Sequence, residues 1–328
     1  MTQNIFSDPK NSTGLIRKFF EGKVYPLFGK RVHKDGQSSR SSLSFSFSQI
    51  DDIARDFNSG NHSDWTGHVL SLPDWFETDL DPISLAFRDQ MLRLWCEITG
   101  RTKYNPTEHE DTPEIADADS LIRPAFYGSS DLEYAGAQII AMGHIVMRSG
   151  VIAGDRVLEY GAGFGQTALA LARLGANVDT VDINPAFCKA VKRSAEHFLA
   201  PLTPHHGEFG LNPALDYNAY KLILFYESFH HCIDFEKLIA KLPSLLAPGG
   251  KIILAGEPIF EKSCAEMPYP WGFRLDWENI AVMRLRGWME LGFERSFLLD
   301  KFSDAGFQCN VFTDPNSHWA TIYEFQQR

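Results

Sequence analysis

The stretch Val157-Leu158-Glu159-Tyr160-Gly161-Ala162-Gly163-Phe164-Gly165-Gln166 reads as an apolar strand that stops at a glycine-rich turn and opens a helix running to Leu174. A second apolar run, from Ala176 to Val181, ends on Asp182, 23 residues after Glu159. In a β-turn-α-β unit of this length, glycines at the first strand tip let the backbone approach a ligand. An acid at the second tip can accept both hydroxyls of a ribose. Such a unit is built to hold an adenosine-type cofactor. Dinucleotide sites use G-x-G-x-x-G, whose third glycine permits close helix packing. Here that position is Gln166, which argues against a nicotinamide dinucleotide.

The observed pattern, Glu159-x-Gly161-x-Gly163-x-Gly165, resembles the first motif of class I S-adenosylmethionine-dependent methyltransferases. The resemblance implies that Glu159, Gly161, Ala162, Gly163, Gly165 and Gln166 surround the methionine part of S-adenosylmethionine. Asp182 would take the ribose and Ile183 would cover the adenine. Glu208 and Phe209, after the third strand, stand where similar enzymes meet the adenine edge. Tyr226, at the fourth strand tip, would complete the cofactor site, and Tyr127, ahead of the first core helix, would reach the cofactor carboxylate.

Alternating helix and strand patterns extend the unit into a parallel sheet. Strands are expected at Arg156–Tyr160, Asn177–Asp182, Leu222–Tyr226 and Lys251–Gly256, with a fainter one at Leu202–His206. Helices are expected at Gln166–Leu174, Ala186–Phe198 and Phe235–Leu246, the last stopped by a tight turn at Ala247-Pro248-Gly249-Gly250. Arg295–Ala305 reads as a helix, and Phe307–Phe312 with Trp319–Phe325 as a terminal hairpin. The expectation is an α/β, Rossmann-like class I methyltransferase fold. Its seven-stranded sheet is mostly parallel, ends in an antiparallel hairpin and carries an N-terminal helical extension.

Two regions stand outside that minimal fold: residues 1–130, and an insert at 258–293 within the methyltransferase domain of residues 131–328. Within the first, Asp81-Pro82 predicts a helix running to about Thr99, and His109–Ser120 a loop or short helix. A helix is also expected over Asp131–Ser149. The serine-rich run Ser38–Ser48 reads as a linker, although the alternation of Leu43, Phe45 and Phe47 permits one short edge strand. Ligands of open α/β sheets sit beyond the carboxyl ends of the strands, so both additions are placed to cap the site. The insert is rich in aromatics (Phe260, Tyr269, Trp271, Phe273, Trp277, Trp288, Phe293), most of which are expected to build its own small core. Trp271, Arg274 and Asp276 are the expected substrate-binding exceptions.

The fourth strand ends in Tyr226-Glu227-Ser228-Phe229-His230-His231. A hydroxyl acceptor must lose its proton as the methyl arrives, and an imidazole is suited to take it. His231, or else His230, is therefore the candidate general base, with Glu227 beside them. The same region, with Asp234 and Glu257, offers N and O ligands for a divalent ion, but no tight spacing demands one, and no metal site is assigned.

The net charge of −11 argues against a nucleic-acid partner. Residues 1–45 are locally basic, with eight Lys/Arg against three Asp/Glu, as a solvated terminus would be. Five scattered cysteines, with no C-x-x-C, suit reduced thiols in a cytoplasmic protein. No signal peptide or membrane span is apparent. The insert also resembles, more loosely, bacterial methyltransferases associated with glycosyltransferases and surface-polysaccharide assembly. That implies a sugar or glycan hydroxyl as acceptor. O- or N-methylation of an aromatic or other secondary metabolite is the alternative, and a non-catalytic cofactor-binding partner protein is the reading from another class.

Overall fold

The computed structural model describes residues 43–61, 64–111, 132–210 and 212–328. Tyr127 and the N-terminal basic segment lie outside the described residues. The elements in chain order are β1 (Leu43–Phe45), α1 (Ile50–Ser59), β2 (His68–Leu70), α2 (Leu85–Thr99), α3 (Pro106–His109), α4 (Leu132–Ser149), β3 (Arg156–Tyr160), α5 (Gln166–Arg173), β4 (Asn177–Asp182), α6 (Pro185–Phe198), β5 (Leu202–His206) and β6 (Tyr220–Tyr226). They continue with α7 (Phe235–Lys241), β7 (Leu246–Ala255), β8 (Ile259–Phe260), β9 (Trp271–Phe273), α8 (Trp277–Arg286), β10 (Leu291–Glu294), α9 (Arg295–Asp304), β11 (Phe307–Asp314) and β12 (Ser317–Gln327).

The main sheet has seven strands in the order β11-β12-β7-β6-β3-β4-β5. The run β5-β4-β3-β6-β7 is parallel, and β12 enters antiparallel between β7 and β11. This is the doubly wound class I methyltransferase arrangement expected from the sequence. The strand order reverses between β3 and β6, so a crevice opens above their carboxyl ends. Central strands are buried on both faces, which is why Val157-Leu158 and Leu222-Ile223-Leu224-Phe225 read as continuous apolar runs rather than alternations. The faint strand at Leu202–His206 forms with the expected bounds and pairs with β4.

Three boundaries differ from expectation by more than two residues. Helix α2 starts at Leu85, capped by the Ser84 hydroxyl, which accepts from Phe87 N at 3.1 Å; Asp81 instead closes its own turn onto Ile83 N. Helix α7 stops at Lys241, before a single 3₁₀ turn at Leu242–Ser244 that contains Pro243. The Ala247–Gly250 run is not a turn but part of β7, marked by a register shift against β6. Gly250 allows that irregularity, since a Cβ there would stand 2.6 Å from Tyr220 O.

The additions are held by one core rather than two. Helix α2 turns Phe87, Met91, Leu94, Trp95 and Ile98 inward, spaced as one helical stripe. Phe87 meets Trp271 edge-on at 5.2 Å, and Trp271 meets Phe235 of α7 at 5.0 Å. The insert's aromatics therefore bridge the N-terminal helices to the main domain instead of forming a separate core. The insert itself makes a three-stranded sheet, β8-β10-β9. The permitted edge strand is real: β1 pairs in parallel with β2 and buries Phe45. Among the described residues no helix is long and apolar enough to cross a membrane, and the five cysteines form no disulfide.

Candidate active site

At the β3 tip the backbone turns through Gly161, Gly163 and Gly165, all at positive φ. Gly161 has to be glycine, because a Cβ there would lie 2.5 Å from Ser228 Cβ. Gly165 caps α5, where a Cβ would press Val191 at 2.8 Å. Gly165 and Gln166 thus set the helix start, while Gly161 and Gly163 face the cleft beside Ala162.

The cleft encloses about 590 Å³. One side of it is lined by Gly161, Gly163, Asp182, Ile183, Glu208 and Phe209, the residues the sequence assigned to the cofactor. Asp182 is fixed by two backbone donors, Gly163 N–H to Oδ2 at 3.0 Å and Asn184 N–H to Oδ1 at 2.8 Å. Burial raises its pKa to about 6 despite those bonds. Glu159 lies behind the turn, 3 % exposed, with its Oε2 lacking a partner. Burial pushes its carboxyl up to about 8. A buried carboxylate oxygen with no partner is costly, and a cationic ligand group would satisfy it. Tyr226 does not line the cleft: it packs toward Trp319 and Ala141, its hydroxyl buried without a partner.

The opposite wall holds the paired histidines. Glu227 leaves β6 in the left-handed region, φ 51°, a strained conformation for a non-glycine residue. Burial raises its carboxyl to about 8. Its strain turns the chain into the 3₁₀ turn Phe229–His231. Glu257, after β7, closes this turn by accepting from the backbone N–H groups of Ser228, Phe229 and His230, and from His230 Nδ1 at 2.8 Å. His230 is buried, which pushes its pKa well down. His231 is half-buried, lines the cleft and donates Nδ1–H to Met289 O at 2.7 Å. A carbonyl can only accept, so the neutral ring keeps its lone pair on Nε2.

The three expected substrate residues are placed otherwise. Trp271 is buried and donates its indole N–H to Pro82 O at 2.7 Å. Asp276 caps α8, accepting from Asn279 N at 3.3 Å. Arg274 is buried in an ion pair with Glu290. None of the three lines the cleft; their polarity serves buried joints between the insert and its neighbours. Among the residues that do face it from the additions are Arg88, Tyr104, Glu110, Asp111 and Trp288. Tyr104 donates to Glu110 at 2.8 Å, and burial raises the Glu110 carboxyl to about 8. Arg88 forms a two-pronged pair with Asp234, at 3.0 and 2.9 Å, tying α2 to the β6 tip. Only the basic residue inside an apolar helical stripe could have flagged Arg88; Glu110 and Glu290 carry no local signal.

Residues 158–254 match the family model described as a methyltransferase domain. A search of curated proteins finds no match to the chain. Among solved structures it is similar to a SAM-dependent methyltransferase from Aquifex aeolicus, at 14 % identity over 56 % of this chain and 87 % of that one, TM-score 0.42. Another similar structure is an S-adenosylmethionine-dependent methyltransferase from Mesorhizobium loti, at 16 % identity over 56 % and 96 %, TM-score 0.44. A third is geranyl diphosphate C-methyltransferase from Streptomyces coelicolor, at 14 % identity over 76 % and 100 %, TM-score 0.45, solved with Mg²⁺, geranyl-S-thiolodiphosphate and S-adenosyl-L-homocysteine. The match over residues 158–254 to a methyltransferase domain thus falls on the part of the chain that holds the glycine turn and the acid on β4, within the class I methyltransferase fold given by the strand order.

Proposed function

We propose that the chain methylates a hydroxyl of a sugar, a glycan or a related small molecule, with His231 receiving the hydroxyl proton. The observation that carries this reading is the position of His231: a half-buried imidazole, its Nδ1 tied down, in the same cleft as the cofactor-binding glycines. S-adenosylmethionine supplies an activated methyl, so the O–C bond forms as the C–S bond breaks and S-adenosylhomocysteine leaves. The protein then needs only to align the acceptor, exclude water and remove one proton. His230 is the weaker base, since its ring is buried and does not line the cleft.

The cofactor residues fit the ligand. The unpartnered Glu159 Oε2 suits the cofactor's ammonium, and Asp182 suits the ribose. Residues 43–111 and the insert then serve as the acceptor-side cap. Their contribution mixes Tyr104 and Trp288 with Glu110, Asp111 and Arg88. Rings for stacking beside carboxylates for hydroxyl protons suit a polyhydroxylated acceptor, and the acid excess disfavours a polyanion. The same excess favours a second reading, N-methylation of an amine metabolite.

The test is calorimetric titration with S-adenosylmethionine, S-adenosylhomocysteine and NAD, followed by S-adenosylhomocysteine release in the presence of nucleotide sugars, glycans and amines. Sulfonium binding with turnover on a sugar is the expected result. Binding of NAD alone would sink the reading, and cofactor binding with no turnover on any acceptor would favour a non-catalytic partner role.

A further inference from the structure

We infer that His230, His231 and Glu290 form a site for one divalent transition-metal ion at the floor of the acceptor side. One donor atom from each lies within 4.8 Å of the others. The two imidazoles stand 4.2 Å apart, centroid to centroid. Each has its Nδ1 committed elsewhere, His230 to Glu257 and His231 to the Met289 carbonyl, which leaves Nε2 as the nitrogen that can ligate. His230 Nε2 lies 3.7 Å from Glu290 Oε2. An outer ring nitrogen held by a carboxylate or a backbone carbonyl is the arrangement that orients metal-binding histidines.

The carboxylates are anchored in turn. Glu290 is held by Arg274, and Glu257 by three backbone N–H groups. Glu257 and Glu290 both reach His230, one at Nδ1 and the other at Nε2, so the carboxylates frame the imidazole that would hold the ion. Two imidazoles and one carboxylate suit Zn²⁺, Mn²⁺, Fe²⁺ or Co²⁺ better than Mg²⁺ or Ca²⁺, which favour all-oxygen sets. Of the three, His231 borders the cleft, so an ion held on its Nε2 would be reached from that side.

The inference rests on the proposed function for what lies in the cleft, and changes how the acceptor is activated. When bound, the ion would supply Lewis acidity that lowers the pKa of an acceptor hydroxyl, with His231 holding the ion; in the metal-free chain His231 keeps the proton-accepting role proposed above. The experiment is titration of the chelator-treated full chain with Co²⁺, followed by visible ligand-field absorption and calorimetry, for wild type and His231→Gln, each with and without S-adenosylhomocysteine. The expected result is one Co²⁺ per chain, bound about 100-fold more weakly in His231→Gln, with His230→Gln as a second variant and circular dichroism confirming the fold. Equal Co²⁺ affinity in wild type and His231→Gln overturns the site. Cobalt failing while S-adenosylhomocysteine binds removes the metal and keeps the methyltransferase reading; cobalt binding without S-adenosylhomocysteine does the reverse.

Discussion

The two walls of the cleft are built in opposite ways. The cofactor wall comes from one continuous stretch, Glu159 to Phe209, and its polar contacts run between backbone and nearby side chains. Gly163 and Asn184 donate to Asp182, and Gly207 N–H meets the Asp182 carbonyl at 3.0 Å. The acceptor wall is gathered from Arg88, Tyr104, Glu110, His231 and Trp288, and is backed by buried side-chain pairs, Glu257 with His230 and Arg274 with Glu290. A wall built from backbone tolerates much sequence change because its donors are common to every residue. A wall built from buried side chains depends on each partner being present.

The largest expected effect of that difference is on stability. Arg274→Ala leaves Glu290 as an uncompensated buried charge and should cost about 3–5 kcal/mol in urea unfolding, with S-adenosylhomocysteine affinity retained in the folded fraction. A loss under 1 kcal/mol would show that the acceptor wall does not lean on this pair. His231→Gln comes next: turnover at neutral pH should fall about 10²–10⁴-fold, while cofactor affinity stays the same. Unchanged turnover removes His231 from proton transfer. On the cofactor wall, Asp182→Ala loses charge-assisted bonds and should weaken S-adenosylhomocysteine binding by about 2–4 kcal/mol, read by calorimetry. An equal loss for Arg274→Ala would erase the distinction between the walls.

Legibility followed the same division. The sheet, the glycine turn and Asp182 could be read because strand period, turn chemistry and acid spacing are local. The β6 tip was legible as far as the histidines, since they follow a strong apolar strand. Their lock, Glu257, lies 27 residues beyond His230 and was visible only as another acid. Trp271, Arg274 and Asp276 look like a sugar-binding cluster in the sequence. Burial decides otherwise, because sequence composition does not reveal whether a polar side chain faces a ligand or caps a helix. Glu290 and Glu110 were missed for the same reason: each acquires meaning only from a partner brought by tertiary packing, Arg274 for one and Tyr104 for the other.

The pH dependence separates the walls further. Burial raises the folded-state pKa of Glu159 from 4.5 to about 8. The folded protein therefore holds this proton more tightly than the unfolded chain. The stabilisation is fully present below about pH 4.5 and is lost as pH rises through about 8. Thermal unfolding of the cofactor-free protein should thus shift downward across that window, and Glu159→Gln should flatten the slope. Cofactor affinity should move the other way, rising as Glu159 and Asp182 ionise to receive a cation and a ribose. A slope unchanged in Glu159→Gln would transfer the effect to Glu110 or Glu227 on the other wall.

The smallest effect asks whether the walls unfold together. Ser84 caps α2, and α2 carries both the Arg88 clasp onto Asp234 and the Phe87 contact with Trp271. Ser84→Ala should cost about 1 kcal/mol. Because Phe87, Trp271 and Phe235 belong to one continuous core, that loss should appear as a small shift of a single transition, the same by fluorescence and by circular dichroism. Two separated transitions, with the earlier one carrying the tryptophan signal, would mean that the acceptor wall opens on its own while the cofactor wall stays folded. The clasp of Arg88 on Asp234 would then be the joint that sets how often the cleft is open to the acceptor.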